Sequence, residues 1–237
     1  MYFNDYEKSI LDLPLKQTYE KEELMKNDFL FAKYRELEVY WAPFEYINKD
    51  AKVIILGITP GFTQMELAFN YVRNNIHYKD YTSLIRNAKN NASFGGTTMR
   101  KNLIEMLDGV GLHKHLNIHS SLELFGEKDH LLHTSSVLRY PVFIEGNNYT
   151  GSNPSMLKHH LLRHMIDELL VPELNRMKGA VIIPTGKAVS EVLRYLVDEK
   201  KISHKTILFD FPHPSGANGH RKKQYEENKE KFMMQLS

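Results

Sequence analysis

Residues 51–56, AKVIIL, are a short and nearly unbroken apolar run rich in β-branched side chains, and they end at the turn Gly57-Ile58-Thr59-Pro60-Gly61-Phe62. A strand with one wet face alternates apolar and polar positions; an unbroken run describes a strand buried on both faces. Residues 64–73 then carry helical spacing. Strand, glycine turn and helix in succession are the unit of an α/β fold, which places ligands at the carboxyl ends of its strands. The turn lacks both the glycine spacing of a dinucleotide fingerprint and the Gly-Lys-Ser/Thr of a P-loop.

The pattern recurs. Residues 131–138 (LLHTSSVL), 179–184 (GAVIIP) and 205–209 read as further strands. Helical patterns occupy 97–107, where Gly109 and Gly111 end the helix, then 155–170, a stretch running to about 197, and 222–235. Four buried strands alternating with helices predict a three-layer α/β/α fold with a central, mainly parallel four-stranded sheet. The loops after those strands, marked by Thr59, Ser135, Gly186 and His213, then gather along one edge. Residues 5–40 read as helical in two pieces parted at Pro14, so 1–50 are expected to be a helical extension packed on a single domain, 51–237. The Asn-rich stretch 74–96 reads as a long polar connection.

Composition removes several chemistries. The chain has 237 residues and no cysteine, which excludes disulfides, thiolate zinc sites and cysteine-ligated iron–sulfur clusters. No apolar run approaches the ~20 residues that span a bilayer, and the N-terminus lacks the basic start and apolar core of a secretory signal, so a cytoplasmic location is expected. A net charge of +2 is too small to signal nucleic-acid binding over the whole surface, but the charge is patchy. Arg221-Lys222-Lys223 is one basic cluster; residues 158–164 (KHHLLRH) are another, which reads as a solvated helix face. His160 and His164 have the i, i+4 spacing of a zinc pair, yet no carboxylate joins them in the helical pattern. No metal and no cofactor is assigned.

Two stretches stand out as candidate sites. Residues 209–221 (FDFPHPSGANGHR) place His213 between two prolines, which restrict the backbone and so the direction of the imidazole. Ser215, Gly216 and Asn218 are small enough to let a ligand approach the backbone, and Arg221 supplies charge for a phosphate, although the same residues also make ordinary turns. At the start of the 97–107 helix, Thr97 or Thr98 serves as an N-cap. A phosphate bound there by backbone N–H groups, threonine hydroxyls and Arg100 is compatible with that role.

Gly57-Ile58-Thr59-Pro60-Gly61 together with His213-Pro214-Ser215 resembles the two signature motifs of the uracil-DNA glycosylase superfamily, whose first motif takes forms such as G-I-N-P-G and whose second is H-P-S. Thr134-Ser135-Ser136-Val137 with Pro141 resembles the strand that reads the base in that family, and the Thr98 region its phosphate loop. The resemblance covers about 53–221. It implies a monofunctional DNA glycosylase with His213 as donor to the departing base and Thr59 at the water-orienting position. Gly57, Ile58, Pro60, Gly61, Phe62, Glu66, Phe69 and Ser135 would line the base pocket. DNA contacts would fall on Thr97, Thr98, Arg100, Lys101, Gly186 and Lys187, and on Ser215, Gly216, Asn218, His220 and Arg221 of the loop.

The chain departs from the family where chemistry is decided. Ile58 and Thr59 stand where relatives carry Asp, Glu or Asn, and Glu66 is the substitute carboxylate if its helix turns it inward. Ser135 replaces an amide with a hydroxyl that makes fewer directed bonds. These changes point to a modified or damaged base, one version being a hypermodified phage cytosine in antiviral defence. Residues 217–220 (ANGH) lack a bulky apolar wedge, so His220 or Asn218 would fill the gap left by the base. The expected partner is DNA, with no membrane and with a monomer favoured. Two other readings stay open: a binding module that has lost catalysis, and an unrelated α/β enzyme acting on a nucleotide or small glycoside.

Overall fold

The computed structural model describes residues 2–78, 80–95 and 97–237. In chain order the elements are α1 (Phe3–Leu11), α2 (Lys21–Leu24), β1 (Leu30–Tyr34), β2 (Leu37–Tyr40), β3 (Val53–Gly57), α3 (Phe62–Asn75), α4 (Tyr81–Ala92), α5 (Thr97–Gly109) and α6 (Leu112–His115). There follow β4 (Leu132–Ser136), β5 (Val142–Ile144), β6 (Asn147–Asn148), α7 (His160–Met165), α8 (Val171–Leu174), β7 (Val181–Pro184), α9 (Lys187–Asp198) and α10 (Arg221–Leu236). Two compact units emerge, each assembled from separate stretches: 1–47, 59–93 and 138–165 in one, and 48–58, 94–137 and 166–237 in the other. The chain therefore does not divide at residue 50. Its first 47 residues share a unit with later ones. Among the described residues no helix is long and apolar enough to cross a membrane.

The second unit holds the predicted parallel sheet, in the order β4-β3-β7. β3 sits in the middle, parallel to both neighbours, with Ile55 opposite Thr134 on one side and Ile183 on the other. Val53, Ile55, Val181 and Ile183 pack with Leu103 and Leu107 of α5 and with Phe232 and Leu236 of α10. Ile54, Leu56 and Ile182, which alternate to the opposite face, are equally buried. That is why the run 51–56 carries no polar position. The fourth predicted strand, 205–209, is reduced to a single parallel bridge between Ile182 and Ile207. Asp210 takes a left-handed conformation, φ 69°, and turns the chain away.

The first unit contains what periodicity at helical spacing concealed. Residues 30–40 are not helical; they form a β-hairpin, with Leu37 and Val39 buried and Glu38 between them half-buried and paired to Lys33 at 2.6 Å. That alternation has a period of two, the mark of a strand with one wet face. β2 continues into β5 and β6, giving an antiparallel sheet in the order β1-β2-β5-β6. The stretch 74–96 is likewise not a loop: α4 occupies most of it, with Asp80 accepting a bond from the Ser83 N–H as N-cap and Leu84, Ile85, Ala88 and Ala92 buried along one stripe. Within 155–170, regular helix begins only at His160, and residues 166–170 form a π-helical turn leading into α8. Trp41, stacked on Tyr6 at 4.3 Å and edge-on to Phe69, centres this unit's core.

Candidate functional site

The His213 loop is fastened at its entry, its middle and its exit. After Asp210, whose N–H donates to Ser190 Oγ at 2.9 Å, Phe211 is buried in the core and its carbonyl accepts a bond from the Gly186 N–H at 2.8 Å. Gly186 itself has φ 99°, and a Cβ there would lie 3.4 Å from His213 Cβ, so both backbone and space favour glycine at this position. Asn102 of α5 donates to the Pro214 carbonyl at 2.8 Å, and Asn218 Nδ2 donates to the His213 carbonyl at 3.2 Å. Arg221 donates to the Ser215 carbonyl at 3.0 Å and to Asn102 Oδ1 at 3.2 Å. Asn102 was not singled out from sequence, because nothing local marks it; its importance comes from an α5-to-loop contact.

These bonds leave the imidazole in a defined state. The Ser215 N–H donates to His213 Nδ1 at 3.2 Å, so Nδ1 is an acceptor and the ring proton sits on Nε2. Burial pushes the His213 pKa below the ordinary histidine value, which favours the neutral ring. Nε2–H makes no bond to any described residue. The loop thus presents one neutral, oriented donor.

In the same unit, β4 carries Ser135, whose Oγ is buried and has no hydrogen-bond partner among the described residues. A Cβ on Gly57 would lie 3.4 Å from Ser136 Oγ. Two residues before Ser135, His133 is almost wholly buried, with Nε2 2.7 Å from Glu173 Oε1 and Nδ1 accepting the Asn48 N–H at 3.4 Å. This polar pair was invisible in the sequence, since Glu173 lies 40 residues away.

Candidate phosphate contacts differ in availability. Lys101 and Lys187 are exposed, each facing an acidic residue one helical turn on at 3.9 and 3.8 Å. Thr98 is exposed at the start of α5, with its Cγ2 3.5 Å from where a Gly216 Cβ would be; the side chain of Thr97 lies outside the described residues. Arg100 is half-buried with its guanidinium 5.0 Å from the Phe125 ring centroid. Arg221 spends one donor on the Ser215 carbonyl of the loop and one on Asn102 of α5, and three remain. His220 is exposed, its N–H held by Asn218 Oδ1 at 3.2 Å.

Gly57 and Ile58 belong to the unit of the His213 loop, whereas Thr59 to Phe62 belong to the other. There the Thr59 hydroxyl donates to the Tyr140 carbonyl at 2.9 Å and accepts the Val142 N–H at 3.1 Å. Pro60 is buried. Gln64 Oε1 accepts the Gly61 N–H at 3.1 Å, and the Phe62 N–H donates to Asn148 Oδ1 at 2.9 Å, so the first turn of α3 is capped by side chains. Phe62 is half-buried, with Lys21 Nζ 6.0 Å from its ring centroid. Glu66 does not turn toward the motif: its carboxylate accepts the Tyr19 N–H at 3.3 Å, and burial raises its pKa. Phe69 is 0% exposed and packs edge-on to Phe29 and Trp41, so it is core and has no face for a base.

Comparison with known proteins adds two findings. The sequence matches the Uracil DNA glycosylase superfamily over residues 44–237. It is also 41% identical over 219 residues to a Bacillus subtilis (strain 168) protein described as "Uncharacterized protein YoxB", an alignment covering 91% of this chain and 85% of that protein.

Proposed function

This chain belongs to the uracil-DNA glycosylase superfamily, and from that premise we propose that it extrudes a modified or damaged base from DNA and hydrolyses its N-glycosidic bond to leave an abasic site. Membership by itself implies glycosylase-type activity on DNA and no more. The observation that carries the finer reading is the His213 imidazole, capped at Nδ1, desolvated, and offering Nε2–H. As the C1′–N bond lengthens, its electron pair goes to the base and the sugar becomes oxocarbenium-like. A fixed donor aimed at a base carbonyl stabilises the departing anion without reorganisation, and losing such a donor costs on the order of 10²–10³ in rate. Water then adds at C1′, and its proton neutralises the base.

Thr59 cannot act as a carboxylate base, and both partners of its hydroxyl are backbone groups. The orphaned Ser135 hydroxyl replaces an amide at the base-reading position. Both features favour a target other than plain uracil, with a hypermodified phage cytosine in antiviral defence as one version. The committed Thr59 hydroxyl also favours a second reading, a DNA-sensing module of the same fold without catalysis.

One screen separates these outcomes. Oligonucleotides carrying uracil, hypoxanthine, xanthine or hypermodified cytosines are incubated with protein and then cleaved by alkali at abasic sites. Base release lost in His213→Ala supports the glycosylase. Salt-dependent binding without release supports the sensor. Strong His213-dependent release of uracil alone rejects the altered target.

A further inference from the structure

Three consecutive carbonyls of the His213 loop are each held by a different side chain. Asn218 Nδ2 donates to that of His213 at 3.2 Å, Asn102 Nδ2 to that of Pro214 at 2.8 Å, and Arg221 to that of Ser215 at 3.0 Å. The middle bond differs from its neighbours in what lies across the peptide it holds. A trans peptide is a rigid plane with its C=O and N–H on opposite sides, and the Pro214–Ser215 bond is trans. The N–H of that plane is the one that donates to His213 Nδ1 at 3.2 Å. Holding the Pro214 carbonyl against α5 therefore aims the Ser215 N–H at the ring. Proline has no N–H of its own, so this is the first backbone donor after His213.

Asn102 is itself fixed from both ends. Leu103, next to it on α5, is fully buried in the core that α5 shares with the parallel sheet. Arg221 donates to Asn102 Oδ1 at 3.2 Å, and because a guanidinium offers only donors, the amide can face it only with its oxygen. Nδ2 is thereby left for the Pro214 carbonyl. We infer that Asn102 is a positioning residue: through the Pro214–Ser215 peptide it holds the His213 ring proton on Nε2. Its consequence for catalysis rests on the glycosylase reading of His213, whereas the tautomer does not. Asn102 acts through the imidazole and needs no contact with DNA.

The test reads the His213 ring by nitrogen NMR without DNA, at a pH well above the ordinary histidine pKa, where the imidazole is neutral. Asn102→Asp keeps an acceptor for Arg221 and removes the donor to Pro214; Asn102→Ala removes both. Asn218→Ala is the control, since it frees the adjacent His213 carbonyl, whose peptide carries no N–H. Either Asn102 variant should lower the ratio of the Nε2–H to the Nδ1–H tautomer by about fivefold, the size of one net hydrogen bond, and the control should leave it unchanged. In the wild-type protein a scalar coupling between the Ser215 amide nitrogen and His213 Nδ1 should be visible across the bond. No such coupling, an unchanged ratio in the Asn102 variants, or an equal change in Asn218→Ala would overturn the assignment. Base release is measured separately. It should fall by no more than about tenfold in the Asn102 variants, against about 10²–10³ when the donor itself is removed in His213→Ala. A loss as large as that of His213→Ala would give Asn102 a direct part in the chemistry and overturn its role as a positioning residue. A wild-type protein that releases no base while its Asn102 variants show the tautomer change defeats the glycosylase reading and leaves this inference standing.

Discussion

An imidazole donates from a chosen nitrogen only while it is neutral, and two local facts secure that for His213: a backbone N–H on Nδ1 and partial burial of the ring. We expect an NMR titration to place its pKa below about 6.5, the free-histidine value, with the proton of the neutral form on Nε2. The sign for stability follows. Because the folded-state pKa is depressed, the unfolded chain takes up the extra proton first, so stability is unaffected above about pH 6.5 and falls as pH drops from there through the folded pKa. A titration midpoint above the free value would contradict this. Thr59 answers a different question. Its hydroxyl bridges the Tyr140 carbonyl and the Val142 N–H, so Thr59→Val should destabilise the protein by about 1–3 kcal/mol in a urea titration, and Thr59→Ser should restore most of it. Equal stability of the Val variant would mean that these bonds hold nothing.

Among elements, α9 holds the His213 loop by its entry. Two side chains of that helix reach Asp210: Ser190, fully buried, accepts its N–H, and Arg194 pairs with its carboxylate where both side chains are nearly half exposed. An exposed ion pair contributes at most about 1 kcal/mol, whereas an N–H deprived of its buried partner costs about 1–3 kcal/mol. Ser190→Ala should therefore lower the melting temperature and the rate of base release together, and Arg194→Ala should change neither appreciably; the reverse ranking would refute the assignment. The elements that local pattern revealed are those whose neighbours on every side are apolar. β3 and β7 were legible as unbroken apolar runs, and α5 and α10 were found within a residue or two of their ends. β1 and β2 were misread as helix, because eleven residues with bulky side chains at several positions satisfy more than one period. α4 was hidden by asparagines that line its wet face.

At the scale of the molecule, the superfamily match begins at residue 44, but the unit that contains Thr59 to Phe62 does not. Phe3, Ile10, Leu24, Phe29, Val39 and Trp41 are each 0% exposed, and Glu45 accepts bonds from the Tyr2 and Phe3 N–H groups, Trp41 Nε1 and the Tyr140 hydroxyl. Burying one such apolar side chain is worth about 1.5–3 kcal/mol, while a whole domain is stable by only about 5–15 kcal/mol. A chain starting at residue 44 should accordingly show no cooperative thermal unfolding by circular dichroism. A sharp transition from that shortened chain would show that the first 43 residues are an appendage after all.

Unaided, the sequence determined the α/β class, the parallel run of β3 and β7 and the family resemblance, because each is written in contiguous residues whose spacing carries the information. Only tertiary structure decided which nitrogen of His213 holds the proton, that Phe69 is core and Glu66 is turned to Tyr19, and that Asn102 and Asn148 brace the two motif loops. Apart from the His213 tautomer, which the Ser215 N–H two residues on sets, those outcomes depend on partners distant in the chain, 112 residues apart for Asn102 and Pro214 and 86 for Phe62 and Asn148, and no local pattern encodes where such atoms meet.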